Sequence, residues 1–554
     1  MQPWATPNGT MSELVLGPLL RYVGSTEATV WVESDAACEV EVLGCSSRTF
    51  RVGDHHYALV HVTGLAPGEA REYEVRLDGE KVWPEPGSPF PQGVIRPLKN
   101  GEPVKLIFGS CRISAPHEPP YTLSHEEDGR GLGVDALYAT AMRLKDEPSD
   151  ELPHALVMLG DQIYAHKPPF DTLGFIKERR DTDVPPGEVV ANFEEYARIY
   201  RDAWSDPAIR WLLSTVPSAM IFDDHEVGDD WNISAVWVEE MRQQPWWNDQ
   251  IVGGYASYWI YQHLGNLSPE ELDNDDLYNK VRDADDAWPV LRDFAYRTHR
   301  GANGTRWSYH RDLGNTRLLM MDSRGGRVLE ETQRSMVDAG EWDWIEDKAT
   351  GDFDHLLLGT SLPLLLGPGM HHLQSWDERL CSGAWGRGAA RWGEGLRRSE
   401  DLDHWASFHD SFAAMVGLLG SVASGENPPS TVVILSGDVH HGYLAEATFT
   451  DNMKSRIYQA VCSPLRNALP SKKSFMQSYA WTKPVVLAAH LLARLAGVPG
   501  EPLSWRMTHD SAFFDNQIAT LELHDRGASI TFEKAVLDAS KEPALEKLYN
   551  RRLA

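Results

Sequence analysis

The sequence predicts an α/β domain preceded by a small all-β domain, and three observations carry that prediction. Beyond residue 99, short apolar runs at 104–108, 156–159, 219–222, 318–321, 355–358 and 432–435 alternate with stretches of helical spacing such as Val134, Leu137, Tyr138 and Ala141. That alternation is the mark of strands layered with helices. From 15 to 97 the period is two instead: Ala28, Val30 and Val32 alternate with Thr29, Trp31 and Glu33, and Tyr73, Val75 and Leu77 with Glu72, Glu74 and Arg76. Between the two patterns lies a linker rich in breakers, with Pro84, Pro86, Gly87, Pro89, Pro91 and Gly93.

In chain order, residues 1–14 are polar and are expected to be a flexible terminus. They show no basic region followed by an apolar one and no twin arginine, so a cytoplasmic location is expected. Residues 15–98 read as a β-sandwich, with Asp78-Gly79 as a tight turn after one strand. The run Gly-Leu-Ala-Pro-Gly-Glu-Ala-Arg-Glu-Tyr, ending at Tyr73, resembles the corner before a late strand of fibronectin type III sandwiches. The sandwich carries no catalytic cluster and is expected to pack against or support the rest. Residues 99–554 form the larger domain, with insertions near 265–300 and 365–400. The former includes the acidic 273–286 stretch and the latter a Gly/Trp/Arg-rich one, and a lid is the one role considered for them.

The composition is that of a soluble globular chain: 554 residues, 42% hydrophobic, 24% charged. The net charge of −29 argues against a protein that coats nucleic acid, and it requires that positive charge be concentrated locally if the substrate is anionic. Five cysteines without a CxxC pair do not make a disulfide scaffold; Cys38, Cys45, Cys381 and Cys462 read as packing residues. The most apolar window, 485–498, is too short to span a membrane and carries His490 and Arg494. It reads as an amphipathic core helix, with a membrane-surface helix as the alternative.

The candidate site is built from strand ends, where ligands bind in such sheets. The 156–159 run ends in Gly160-Asp161-Gln162-Ile163-Tyr164, and the 104–108 run in Gly109-Ser110-Cys111-Arg112. Others end in Asp223-Asp224-His225-Glu226, Asp322-Ser323-Arg324, Gly359-Thr360-Ser361-Leu362-Pro363 and Ser436-Gly437-Asp438-Val439-His440-His441. One such end would pass for an ordinary polar loop; six in succession point to convergence.

This ordered set resembles the alkaline phosphatase D (PhoD-like) family of calcineurin-like metallophosphoesterases. The late segments at 462–467, Cys-Ser-Pro-Leu-Arg-Asn, and at 513–523 resemble it as well. The resemblance implies a four-layer metallophosphoesterase-type β-sandwich flanked by helices, and phosphate ester hydrolysis at a dinuclear or larger metal site. Against the wider superfamily pattern, Cys111 stands where Asp-x-His would begin and Tyr164 where a second aspartate would lie. Asp224 replaces an asparagine, and Asp438 a histidine. The donors divide into two unlike sets. Cys111, Asp161, Tyr164 and His440 suit ferric iron. Asp161 again, with Asp224 and Asp438, offers oxygen alone and suits calcium, with manganese or magnesium as alternatives.

The resemblance further implies that His225 handles the leaving-group proton, oriented by Asp223 or Glu226. Arg324 and Arg112 are candidates to grip phosphate oxygens of a small-molecule phosphoester. Asp224 is preferred to Asp223 as ligand, and His441 is expected to point elsewhere. His371, His372, His404 and His409 read as surface or capping residues. Two other readings stand beside the phosphatase: a phosphodiesterase or phospholipase D-like enzyme, and a non-catalytic interaction scaffold.

Overall fold

The computed structural model describes residues 11–301, 305–451, 453–468 and 479–554. Most of the expected flexible terminus, 1–10, lies outside these. Within it, Glu13 is already tied in register to Asp35, with the strand Leu14–Val23 following directly.

All six apolar runs are strands, and each is buried on both faces apart from Lys105. They belong to two sheets. In the first, Ser218–Ile221, Ala155–Leu159 and Val104–Gly109 lie parallel, and the C-terminal strands Gln517–His524, Gly527–Leu537 and Pro543–Arg552 extend the sheet antiparallel. In the second, Thr316–Met321, His355–Thr360, Thr431–Ser436 and Arg456–Val461 are parallel, flanked by Tyr309–Leu313 on one edge and by Tyr443–Phe449 and Leu503–Met507 on the other.

The second sheet shows why its runs are continuous in the sequence. Leu318, Met320, Leu357, Val433 and Leu435 join the core that also contains Leu106, Phe108 and Met158 of the first sheet. Their neighbours Leu319, Met321, Leu356, Leu358 and Ile434 point the other way, against Ile345 of the helix Ala339–Lys348 and Phe412, Met415 and Leu419 of His409–Ser424. A strand covered on both faces has no polar face to show. At the carboxyl edge the sheets nearly touch: a Cβ on Gly437 would fall 2.0 Å from Ser110 Oγ.

The N-terminal strands form two four-stranded antiparallel sheets around Val30, Val32, Val40, Val60, Val75 and Leu77. The strand Ala28–Ser34 alternates in sequence yet is buried on both faces. Its second face meets the larger domain: Trp31 packs on Tyr261 (ring centroids 5.3 Å), whose hydroxyl donates to Glu33. The 72–77 run is split into Arg71–Glu72 and Val75–Leu77, and the Tyr73 hydroxyl donates to the Ser214 carbonyl (2.6 Å), across to the larger domain. The Asp78-Gly79 turn is as read, with φ of 49° and 88° and a hairpin closing on Glu80.

Both insertions are helical. The acidic one folds as Asp276–Asp283 and Trp288–His299 and is no lid, because Asp286 and Ala287 hold the sandwich at Gly53 and Arg51. The other forms Pro368–Cys381 and Arg387–Ser399. The apolar window folds as the helix Lys483–Leu495, but not as a core helix: Leu487, Leu491 and Leu495 are 71%, 59% and 65% exposed. Among the described residues no helix is long and apolar enough to cross a membrane.

Candidate metal centre

The strand ends converge as expected, and the backbone explains how. Cys111, Asp161, Asp438 and His440 all take positive φ (57°, 56°, 64° and 52°), a conformation uncommon away from glycine. Each therefore turns sharply out of its strand and returns its side chain across the sheet edge. Four proposed ligands held this way is a concentration of backbone strain typical of functional sites.

Among the described residues four groups have ligand atoms within 4.8 Å of one another. Two are the proposed donor clusters: Cys111, Asp161 and His440; and Asp161, Asp223, Asp224 and Asp438. His225 joins Asp161 and Asp224 in a third, and His166 and Asp229 in a fourth. Asp161 belongs to both donor clusters. Its Oδ2 accepts from Cys111 Sγ (3.2 Å), while its Oδ1 is buried with no hydrogen-bond partner. Tyr164, 4% exposed, receives a hydrogen bond at its hydroxyl from Asn467 Nδ2 (3.0 Å), which also lies 3.4 Å from His440 Nε2. Asp223 lies in the oxygen cluster with Asp224 and is not excluded from it, but its Oδ1 is engaged by Arg324 and by the Asp224 amide.

The electrostatics fit bound cations. Burial and then the neighbouring carboxylates push Asp161 well above the usual carboxylate range, and burial raises Asp224 to about 6. Burial likewise raises the Cys111 thiol and the Tyr164 phenol well above their ordinary values. Such groups become ligands only as anions, so a cation must displace their protons. A buried orphan carboxylate oxygen, four crowded carboxylates and a thiol beside a phenol together fit the binding of cations, with oxygen donors alone on one side and a mixed donor set on the other.

Three expectations about supporting residues are overturned. Arg112 grips nothing in the cavity: it is 1% exposed, donating to Asp135 (2.9 Å) and the Ala203 carbonyl (2.8 Å). Glu226 does not orient His225; it accepts the amides of Asp161, Gln162 and Asp223 and so fastens two motif loops together. Nor does Asp223. The carboxylate nearest His225 Nδ1 is Asp229, at 3.6 Å. Arg324 does reach the cavity, but its guanidinium is closely paired with Asp223 and Asp403 and lies 3.7 and 3.9 Å from Asp224 and Asp438. It serves the carboxylates first.

His404 is the principal residue that the sequence did not reveal. It is 7% exposed and bonds Asp438 Oδ2 through Nε2 (2.9 Å) and the Gln374 amide through Nδ1 (3.0 Å). Burial alone would raise Asp438, yet the His404 hydrogen bond and charge and Arg324 hold it below the ordinary value. His371, too, is buried, not on the surface. Nothing in the spacing of 403–409 distinguishes His404 from a helix cap. Asn467 closes the 462–467 motif, and that segment reaches the site because the Leu465 and Arg466 amides donate to the carbonyls of Ser110 and Cys111. His441 is turned to the Val439 carbonyl and the Tyr443 and Phe514 rings, as anticipated.

The clusters open into a cavity of about 1050 Å³, lined by Tyr164, Asp224, His225, Arg324, Asp438 and His440 and bordered by Met370 and Trp481. The rings of Tyr164, His166 and His225 form a tilted cluster, with His225 4.4 and 4.6 Å from the other two, which are 5.9 Å apart.

Comparison with known proteins gives matches over two parts of the chain. The model of the PhoD-like phosphatase family matches residues 135–341, and a domain of unknown function (DUF7800) matches 11–95. Residues 135–341 are thus a PhoD-like phosphatase domain. A structure described as that of PhoD superposes with a TM-score of 0.58 at 12% identity, covering 99% of this chain and 94% of that one. It shares the fold. The likeness to "GAP50 the anchor in the inner membrane complex of Plasmodium" is much lower, with a TM-score of 0.32 at 9% identity over 81% of this chain and 88% of that one. No curated protein matched the sequence.

Proposed function

We propose that the chain hydrolyses small-molecule phosphoesters at a site with ferric iron on the Cys111, Tyr164 and His440 side and calcium on the Asp224 and Asp438 side. Manganese or magnesium are the alternatives to calcium, and the enclosing fold is taken as the four-layer metallophosphoesterase sandwich. The observation that carries this reading is that one carboxylate, Asp161, belongs to both donor clusters. When bound, such cations polarise a phosphoryl group and make water a better nucleophile. The residues do the rest. Asp161 fixes the two sets at one separation, and Asn467 steadies Tyr164 and His440 from outside. His404 holds Asp438 ionised and aimed. His225, lowered to about 4 by burial, is neutral at pH 7 and so relays a proton instead of storing one.

The breadth of the cavity supports diesters as substrates as well as monoesters. The test is hydrolysis of p-nitrophenyl phosphate and bis-p-nitrophenyl phosphate before and after chelation. Activity lost on chelation and restored by iron with calcium is expected. A fully metallated protein that hydrolyses neither compound would leave the scaffold reading.

A further inference from the structure

The helix Lys483–Leu495 packs on the protein through small residues and Leu492, and shows its other three leucines to solvent. Ala493 and Ala496 are buried against Trp376 and Leu380 of the helix Pro368–Cys381, and Ala489 is buried too, whereas Leu487, Leu491 and Leu495 project outward at 71%, 59% and 65% exposure. Their spacing of four residues makes one stripe, about 12 Å long at the helical rise. Ordinary surface helices do the reverse.

The same small core presents aromatic rings. Trp376 contacts Trp385 and Trp392 at 5.8 and 5.9 Å, and those two remain 45% and 59% exposed. Charge adds an independent indication. The chain carries 52 basic against 81 acidic residues, yet the segments 368–399 and 479–500 hold seven basic and three acidic ones. Arg379, Arg387, Arg391, Lys483 and Arg494 are exposed, whereas Asp377 is buried and Glu394 is bonded to Ser234 and Arg397. A leucine stripe, half-exposed tryptophans and a cationic rim on an acidic protein are the complement of an anionic lipid surface, where apolar side chains enter the acyl boundary and indole rings sit at headgroup level.

We infer that this face, formed by the helices Lys483–Leu495 and Arg387–Ser399, docks the protein on an anionic membrane surface without crossing it. Trp481, which borders the cavity, lies two residues before the docking helix, so the cavity mouth would lie at the rim of the contact. The inference is independent of the proposed chemistry, because membrane binding is measured without turnover.

The experiment is flotation of the whole chain with phosphatidylcholine vesicles, with and without about a quarter phosphatidylglycerol. Binding is expected to the anionic vesicles and to weaken with salt, since the cationic contribution is screened. A triple variant, Leu487→Gln, Leu491→Gln and Leu495→Gln, should bind at least about tenfold more weakly, and far more if all three leucines insert. The separate variant Arg387→Gln with Arg391→Gln should lose the preference for anionic vesicles. Hydrolysis of a soluble phosphoester, or circular dichroism if none is hydrolysed, confirms that each variant is folded. Wild-type protein that stays with neither vesicle overturns the inference, as does a triple variant that floats like wild type. Concentration-dependent dimerisation abolished by the triple variant, without vesicle binding, would assign the face to a second copy.

Discussion

His55 should behave as a pH-dependent clamp between the two domains. It sits on the sandwich with Nδ1 2.8 Å from Glu33, and its Nε2 reaches across to Glu194 of the larger domain at 3.1 Å. Burial alone would lower its pKa, but the hydrogen bonds and charges of the two carboxylates outweigh that and raise it to about 9 from 6.5. A raised folded-state value means that the stabilisation is complete below the unfolded value, fades between 6.5 and 9, and is gone above 9. Two and a half units correspond to roughly 3 kcal/mol, which its one-fifth exposure reduces to about 2. The perturbation is His55→Gln, read by urea unfolding of the whole chain at pH 6 and pH 10. The variant should lose about 2 kcal/mol at pH 6 and well under 1 kcal/mol at pH 10. An equal loss at both pH values would refute the reasoning, because it would make His55 a packing residue whose charge does nothing.

Other outcomes follow from the site. His404→Ala should leave the fold intact but lower turnover about ten- to a hundredfold, since a residue orienting a ligand is removed, and His404→Gln should recover part of it; unchanged kinetics would discount the contact. Glu226→Gln leaves buried amides competing for one oxygen and should cost about 2–4 kcal/mol in denaturant unfolding, with turnover falling as the Asp161 loop loosens. Arg112→Lys should lower stability and leave KM unchanged, whereas a selective rise in KM would restore it to substrate binding. Tyr164→Phe should remove any visible tyrosinate-to-iron absorption from iron-loaded protein.

The parts of the fold legible in the sequence were those whose burial is uniform. Strands such as Ala155–Leu159 and Thr431–Ser436 are covered on both faces, so their apolar runs were unbroken, and their polar ends stood out sharply. The strand Ala28–Ser34 alternates in sequence yet is buried on both faces, because Tyr261 and His55 supply aromatic and polar partners for Trp31 and Glu33. The helix Lys483–Leu495 was misread because leucine periodicity says that a stripe exists but not which side the protein covers.

In the site, residues within the strand-end motifs could be found because motif and backbone turn coincide. His404 could not, since it approaches Asp438 from a helix cap 34 positions away, and only the packing of Gln374 against it fixes the ring. Arg112 shows the converse. Its position beside Cys111 suggested the cavity, but Asp135 draws the guanidinium into the interior.

The central claim is that Asp161 joins two unlike metals in one site, and the metal content of the purified chain tests it most directly. Elemental analysis of wild type should give about one iron per chain together with calcium or another hard divalent cation, and Asp161→Asn should lose both together along with hydrolysis. An iron-free wild type with full activity, or an Asp161→Asn variant that keeps both metals, would contradict the account.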